Sequence, residues 1–135
     1  SKDSRVTESV HENLVGLNDG KFMYVEDGKL CIDDKDVFEN LQINVFWAGV
    51  VQNSKICEGI TKDYLYIDYE NILHLLEIRY RKPKKHVRLF GDCKYATGFV
   101  SSNDKNIIIF ALKNNNEWDV MTLNRRGIVI NQKKL

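Results

Sequence analysis

Cysteine and histidine are the side chains of this sequence that could supply a nucleophile and a base. No two of the three cysteines form a CxxC pair, so their spacing indicates neither a disulfide framework nor a zinc site. Cys93 and His86 are the best nucleophile–base candidates, because a hairpin at Gly91 would bring them together and nearby cations would lower the thiol pKa. A cysteine is more commonly a small buried hydrophobe. We therefore predict no catalytic residue and no enzyme activity.

Metal-binding and cofactor motifs give no stronger signal. The histidines are scattered, and no HxH, HExxH or glycine-rich phosphate motif occurs. The acidic residues from position 33 to position 39 resemble a cation site in composition only, because an EF-hand loop needs ligands at alternate positions around a central glycine. The sequence therefore predicts no metal site and no cofactor. The residues considered are His11, His74 and His86, and Asp33, Asp34, Asp36 and Glu39.

The stretch Arg79–Arg88 concentrates positive charge more than any other part of the chain. It holds six formal positive charges, no acidic residue and the only proline. Clustered cations with Tyr80 and Phe90 nearby could bind phosphates and stack bases, and a charged loop also steers association with an acidic protein surface. A solvated loop that protects a sheet edge is the purely structural alternative. The predicted partner-binding residues are Arg79, Arg81, Lys82, Lys84, Lys85, His86 and Arg88.

From this stretch we predict a non-enzymatic interaction module that binds an acidic surface of another protein, as an inhibitor or an immunity-like protein would. The alternative is a nucleic-acid-binding β-barrel that contacts phosphates through the same loop, although an overall pI of 7.7 is low for such a domain. The third hypothesis is a small-ligand barrel, but aromatic residues in strands are more often core. Its cavity would be lined by Phe46, Trp47, Tyr64, Tyr66 or Trp118.

The formal charge is unevenly distributed between the two halves of the chain. Residues 1–70 hold seven Lys/Arg against fourteen Asp/Glu, a net charge of −7, whereas residues 71–135 hold thirteen against five, a net charge of +8. Such asymmetry suggests an interaction surface. Whether the acidic segment 26–39 neutralises the basic stretch within the monomer is left open, and so is the oligomeric state.

Composition is typical of a globular protein, with 43% hydrophobic and 29% charged residues. We expect a flexible arm over 1–13 and a single β-rich domain over 14–135. No apolar run approaches the ~20 residues that cross a bilayer, so no membrane partner is predicted. Unpaired cysteine usage favours an intracellular protein of the cytoplasm or nucleus.

The elements that must position these residues are mostly strands. Asp-Gly turn signals predict a three-stranded meander over Leu14–Leu17, Lys21–Val25 and Lys29–Ile32. Acidic residues after it could cap a short helix that ends at Leu41. Residues rich in β-branched and aromatic types then predict further strands. These strands are Gln42–Val51, Lys55–Ile60 and Tyr64–Ile67.

The segment between Asp68 and Tyr80 carries two periodicities. Asp68 could cap a helix whose apolar residues recur at helical spacing, yet residues 76–81 alternate as a strand does. We expect a helical turn over Tyr69–Leu75 followed by a strand to Tyr80. This choice decides whether the basic stretch is a helix end or a hairpin.

Five strands separated by short polar turns follow, and sequential strands joined in this way pair antiparallel. The predicted fold is mainly β (all-β or β-rich α+β), an antiparallel meander closed as a small barrel or a sandwich, with one or two short helices. The five strands are His86–Phe90, Lys94–Val100, Asn106–Leu112, Glu117–Leu123 and Gly127–Asn131.

Overall fold

The computed structural model describes residues 12–16, 22–33, 38–52, 61–79, 82–103 and 105–135. These residues form twelve β-strands and no helix, which confirms the mainly β prediction. The strands are β1 (Glu12–Gly16), β2 (Phe22–Glu26), β3 (Lys29–Asp33), β4 (Phe38–Asn44), β5 (Trp47–Gln52), β6 (Thr61–Ile67), β7 (Leu73–Arg79), β8 (Lys82–Phe90), β9 (Cys93–Val100), β10 (Asn106–Lys113), β11 (Trp118–Asn124) and β12 (Val129–Lys134).

The strands form two sheets. A small sheet has the order β1-β2-β3-β4, and a large sheet has the order β12-β11-β10-β9-β5-β6-β7-β8. Neighbouring strands are antiparallel except β5 and β9, which pair in parallel through Val51 with Gly98 and Gln52 with Phe99. The large sheet is curled into a half-barrel. Its two outermost strands are therefore β12 and β8.

Two hydrophobic cores lie on opposite faces of the large sheet. Strand β6 contributes to both, because successive side chains of a strand point to opposite faces. Leu65 and Ile67 pack in the larger core inside the curl, whereas Tyr64 and Tyr66 pack in the smaller core. The smaller core also contains Val25, Leu30 and Val45, so it joins the small sheet to the outer face of the large sheet.

The curl brings the turn between β11 and β12 against distant strands. Arg125 in this turn forms an ion pair with Asp63 of β6 at 3.2 Å. Gly127 in the same turn lies so close to β8 that a Cβ atom there would be 2.8 Å from Cγ2 of Val87. Residues from the two sides of the half-barrel therefore meet, and Asp63–Arg125 joins the acidic half of the sequence to the basic half.

The prediction of one or two short helices is wrong for the described residues. Leu41, expected in a helix, lies in β4, and β7 already begins at Leu73, where a helical turn was expected. Residues 72–76 are all buried because β7 has a core on each of its faces. A strand buried on both faces presents a continuous apolar run, which periodicity cannot distinguish from a helix.

Asp68 caps a turn rather than a helix. Its Oδ1 atom accepts hydrogen bonds from the backbone N–H groups of Glu70, at 2.8 Å, and Ile72, at 3.0 Å. Asn71 adopts a left-handed conformation with φ of 64°, and the chain reverses into β7. The capping chemistry expected of Asp68 is therefore present, but positive φ at Asn71 prevents a helix from forming.

The predicted strand Gln42–Val51 is interrupted, and its two parts belong to different sheets. Between β4 and β5 the Val45 N–H donates to the carbonyl of Gly28 at 2.7 Å, and the Phe46 N–H donates to the carbonyl of Ile67 at 3.0 Å. These two bonds pass the chain from the small sheet to the large one. The predicted strand Lys55–Ile60 lies outside the described residues.

Five C-terminal strands occur near the predicted positions, although β8 already begins at Lys82 and β12 runs from Val129 to Lys134, and the expected pairing of β8 with β9 is wrong. Strands β9 to β12 form an antiparallel meander, whereas β8 pairs with β7 and β9 pairs with β5. At the junction, the Cys93 N–H donates to the carbonyl of Asn71 at 2.9 Å, instead of continuing a hairpin from β8. The two-residue connection of Gly91 and Asp92 therefore leads from β8 at the edge of the large sheet to β9 in its interior.

Candidate functional site

The basic stretch forms strand β8, which is the last strand of the large sheet. Arg79 of β7 pairs with Lys82 of β8, so the two strands form a hairpin whose connecting residues 80–81, including Arg81, lie outside the described chain. Backbone positions are described for Arg79 and Lys82, and side-chain burial is described from Lys84 onward. From Lys82 to Arg88 the basic stretch is therefore an edge strand rather than a loop.

Exposure alternates along β8. Lys84, His86 and Arg88 are exposed, whereas Lys85 and Val87 between them are half-buried. Alternate positions of a strand share a face, so the three exposed side chains form one row. Lys85 belongs to the opposite face and lies opposite Glu77 of β7. Among the predicted residues whose side chains are described, Lys84, His86 and Arg88 face solvent, and they are here called the basic row.

The two cations of the basic row are not neutralised by acidic side chains in the described part of the chain. Neither Lys84 nor Arg88 forms an ion pair with any described residue, in contrast to Arg125 with Asp63. Of the acidic segment 26–39, only Asp27 has a described side chain among its acids, and it is exposed in the β2–β3 turn. The described residues therefore leave positive charge available on β8.

His86 of the basic row forms a direct pair with His74 of β7. The Nδ1 atom of His74 lies 2.8 Å from the Nε2 atom of His86, and the ring centroids are 4.7 Å apart. His74 is buried, with 8% exposed, and His86 is exposed. The pair therefore connects the interior of the protein to the solvent-facing side of β8.

Asp68 fixes the buried end of the pair. Its Oδ2 atom accepts a hydrogen bond from Nε2–H of His74 at 2.8 Å. Partial burial alone would raise the pKa of Asp68, but hydrogen bonds from His74 and from the N–H groups of Ile72 and Glu70 outweigh it and lower that pKa. Asp68 is therefore ionised at neutral pH, and its charge orients the ring of His74.

Tyr66 completes the cluster from strand β6. Its hydroxyl lies 2.7 Å from Nε2 of His86, and its ring stacks on His74 with centroids 4.5 Å apart and planes inclined by 11°. Burial, with a smaller contribution from the charge of Asp68, raises the pKa of Tyr66 to about 12. The hydroxyl therefore stays neutral and holds His86 in place by hydrogen bonding.

Burial lowers the pKa of His86, and the positive charge of His74 lowers it further, while Asp68 acts in the opposite direction. The exposed histidine is therefore mainly neutral near neutral pH in the free protein. The arrangement can accept or release a proton at the protein surface while its inner end stays hydrogen-bonded to a carboxylate.

Sequence reasoning treated the histidines as scattered and missed this cluster. In the observed register His74 lies opposite Arg88 and Leu76 lies opposite His86, so the two histidines are diagonal neighbours on one face of the hairpin. The pairing of β7 with β8 shifts by one residue between Ile78 and Glu77. Without this shift His74 would lie opposite Val87, on the other face from His86. The sequence contains no local signal for this shift, and the segment before Tyr80 also fits a helix.

The predicted nucleophile–base candidates, Cys93 and His86, are not brought together. Cys93 is fully buried in the larger core and donates its thiol to the carbonyl of Tyr95 at 3.3 Å, whereas the ring of His86 contacts His74 and Tyr66. Burial raises the pKa of the Cys93 thiol, which disfavours the reactive thiolate. This pair therefore provides no nucleophilic site.

The aromatic residues proposed for a ligand cavity are distributed among different packing environments. Tyr64 and Tyr66 belong to the smaller core, and Phe46 and Trp47 pack against the larger one. Trp118 meets the ring of Tyr95 edge-on, with centroids 6.3 Å apart. These rings do not converge on one cavity, so their arrangement is that of core packing.

No protein family and no curated protein matches the sequence. In the ranges that the structure describes, no helix is long and apolar enough to cross a membrane. Within the same ranges, no three or more His, Cys, Asp or Glu side chains are grouped so as to hold a metal ion. The functional interpretation therefore depends on the geometry of β8 and its histidine pair.

Proposed function

We propose that this protein is a binding module that docks on an acidic surface of another protein through the basic row of β8. The observation that carries the proposal is that Lys84, His86 and Arg88 are exposed at alternate positions of one edge strand. Alternate residues of a strand are about 7 Å apart, so the row places the cations of Lys84 and Arg88 at regular positions on either side of His86. An extended segment with acidic residues at alternate positions has the same spacing.

The features of the edge favour docking by side chains over the addition of a partner strand. Pro83 has no backbone N–H to donate, and the pairing of β8 with β7 shifts by one residue between Pro83 and Lys85. Proline, lysine and local irregularity are the devices that protect sheet edges from strand addition. The proposed contact therefore uses charged side chains, whose main contributions are orientation and association rate.

Two described aromatic residues, Phe90 of β8 and Tyr66 in contact with His86, favour a protein partner over a nucleic acid. Single-stranded nucleic acids are usually bound by exposed aromatic rings together with cations. Phe90 is buried, with 3% exposed, and lies under the Nζ atom of Lys113 at 5.1 Å, and Tyr66 is also 3% exposed. Neither ring can stack on a base, so phosphate contact through the same cations is the second candidate.

We also infer an intracellular protein, in which Cys31 and Cys93 remain reduced. Both thiols are buried. Their partners in the structure are backbone carbonyls, those of Lys29 and Tyr95 respectively. This inference about compartment is supported by cysteine usage alone.

The test compares two charge-reversal variants with the same change in net charge. In Lys84→Glu/Arg88→Glu the basic row is reversed, and in Lys105→Glu/Lys133→Glu two exposed lysines elsewhere are reversed. Binding is measured by fluorescence anisotropy with labelled poly-aspartate as the acidic polypeptide probe and with labelled poly-uridine as the phosphate probe. Both titrations are made at about 50 mM salt, because surface charge contacts weaken at higher ionic strength.

We expect the wild type and the Lys105→Glu/Lys133→Glu variant to bind poly-aspartate similarly, and the Lys84→Glu/Arg88→Glu variant to bind at least about tenfold more weakly. Equal affinity of the two variants would overturn the proposal. Binding of poly-uridine in preference to poly-aspartate, lost in the Lys84→Glu/Arg88→Glu variant, would instead assign the basic row to nucleic acid.

A further inference from the structure

We propose that docking on the basic row is coupled to protonation: the His74–His86 pair takes up one proton when an anionic group binds beside His86. The proposal rests on the proposed function and adds its regulation. It follows from the 2.8 Å contact between the two ring nitrogens, from the carboxylate that holds His74, and from the exposure of His86 beside Lys84 and Arg88.

The neutral pair has one arrangement of protons. Because the Asp68 carboxylate accepts from Nε2–H of His74, the Nδ1 atom of a neutral His74 carries a lone pair. His86 then presents its Nε2–H to this nitrogen, and the Tyr66 hydroxyl oxygen, 2.7 Å from the same Nε2 atom, is the second acceptor. The Nδ1 atom of His86 is left as the basic nitrogen of the cluster.

One added proton is compatible with the same geometry. It either resides on Nδ1 of His86, which becomes an imidazolium, or the charge moves across the 2.8 Å hydrogen bond to His74, next to Asp68. A second proton is not compatible, because both facing nitrogens would then carry hydrogen. The pair therefore accommodates one extra proton and no more while it remains intact.

An anion at the basic row shifts this equilibrium. A carboxylate placed between Lys84 and Arg88 lies next to His86 and can accept a hydrogen bond from the protonated ring. Opposite charge nearby favours the charged form of an imidazole. The bound protein therefore holds the proton more tightly than the free protein does.

The groups around the pair act in both directions. Asp68 from the β6–β7 turn favours the charged state, and Lys84 and Arg88 on β8 oppose it until an anion neutralises them. Tyr66 on β6 is neutral. Where the small sheet packs on this face, its described core side chains are apolar, and its described charged side chains, Asp27 and Lys29, lie at the β2–β3 turn.

The direction in which anion affinity changes with pH follows from the protonation state of His86. Burial lowers the pKa of His86 in the free protein, so His86 is mainly neutral above about pH 6.5. Docking of an anion beside it raises the pKa of His86. Affinity for an anion therefore increases as the pH falls towards the pKa of His86 in the free protein, by at most about tenfold per pH unit for one proton.

The experiment measures poly-aspartate affinity of the full chain between about pH 6 and pH 8, where the aspartate carboxylates, with pKa about 3.9, remain ionised. Three proteins are compared: the wild type, His86→Gln and His11→Gln, the last of which removes a histidine outside the described residues. Calorimetry in two buffers with different ionisation enthalpies counts the protons taken up. Imidazole ¹H shifts monitor the titration of His74 and His86 with and without poly-aspartate.

We expect wild type and His11→Gln to bind at least about threefold more tightly at the acidic end of the range and to take up a fraction of one proton on binding. His86→Gln should bind equally at both ends and take up none. Binding that needs Lys84 and Arg88 but has no pH dependence, or a pH dependence retained in His86→Gln, would overturn the proton coupling while leaving the proposed function standing. If His86→Gln is unfolded, the imidazole shifts of the wild type decide: an unchanged titration on binding overturns the coupling.

Discussion

The carboxylate Oδ2 of Asp68 lies 2.8 Å from Nε2 of His74, while the Oδ1 atom of the same carboxylate accepts the backbone N–H groups that close the β6–β7 turn. One side chain therefore both shapes the turn and orients the histidine pair. Separating these two tasks requires one substitution that removes both and another that preserves the turn.

Asp68→Ala removes all three hydrogen bonds, and we expect it to lower the free energy of unfolding by about 2 kcal/mol. Asp68→Asn retains an Oδ1 acceptor for the N–H groups of Glu70 and Ile72 but loses the charge, so we expect a smaller loss. Urea denaturation followed by tryptophan fluorescence measures both. Equal losses in the two variants would contradict the assignment of the turn to Oδ1.

The lowered pKa of Asp68 predicts that the stability of the protein depends on pH. Hydrogen bonds lower the pKa of Asp68 in the folded protein below its ordinary value of 3.8, so its stabilisation is present above that value and is lost as the pH falls through the folded pKa. Below the range in which the histidines titrate, the difference in unfolding free energy between wild type and Asp68→Asn should shrink as the pH falls below about 4. A difference that grows between about pH 4 and pH 2 would have the wrong sign.

The ion pair between Asp63 and Arg125 should contribute to stability because the Asp63 side chain is only 7% exposed. We expect a double-mutant cycle with Asp63→Asn and Arg125→Gln to give a coupling of about 1 kcal/mol, since partial exposure of Arg125 reduces the value for a buried pair. The exposed pair Glu117–Lys134, with 3.6 Å between its charged atoms, is the matched control. Its cycle should show no measurable coupling.

Gly127 should be intolerant of a side chain. Its φ of 84° is unfavourable for other residues, and a Cβ atom would meet Val87 of β8 at 2.8 Å. We expect Gly127→Ala to cost at least about 1–2 kcal/mol, by thermal or urea denaturation. Gly91→Ala is the control, because nothing lies within 4 Å of its Cβ position. A similar cost in both variants would show that the half-barrel does not close around Gly127.

Cys93 should be unreactive in the folded protein, because burial excludes reagents and raises the pKa of its thiol. In a Cys57→Ser background the remaining thiols, Cys31 and Cys93, are both buried. We expect the thiol reagent DTNB to label them at the rate of unfolding and rapidly in denaturant. Fast labelling without denaturant would contradict their burial.

Alternation, turn residues and β-branched composition predicted most strands, because those signals are local. The errors occur where tertiary context decides. Residues 72–76 resemble a helix because both faces of β7 are buried, and the break after Asn44 was missed because two backbone hydrogen bonds, not a turn residue, redirect the chain. The pairing of β5 with β9 has no local signal.

For the candidate site, charge density identified the basic stretch but not its geometry. The sequence could not show that Lys84, His86 and Arg88 are exposed on one face while Lys85 is half-buried on the other. That difference in exposure depends on whether the stretch is a strand or a loop. The histidine pair needed the register of the hairpin as well. A cluster made from diagonal neighbours on two strands becomes predictable only when the connection between the strands and any shift in their pairing are known, here the shift within the β7–β8 hairpin.

The parallel contact between β5 and β9 has a consequence for how the half-barrel assembles. On one side of it, β9 to β12 are neighbours in sequence order, and on the other side β5 to β8 are too. Each set can form from local hairpins, whereas the contact between them joins Val51 to Gly98 and Gln52 to Phe99. Closing so long a loop costs chain entropy before any contact compensates for it. The larger core and the Asp63–Arg125 ion pair join the same two meanders, so these contacts compensate for the closure together with the β5–β9 pairing. The half-barrel therefore forms as one cooperative unit.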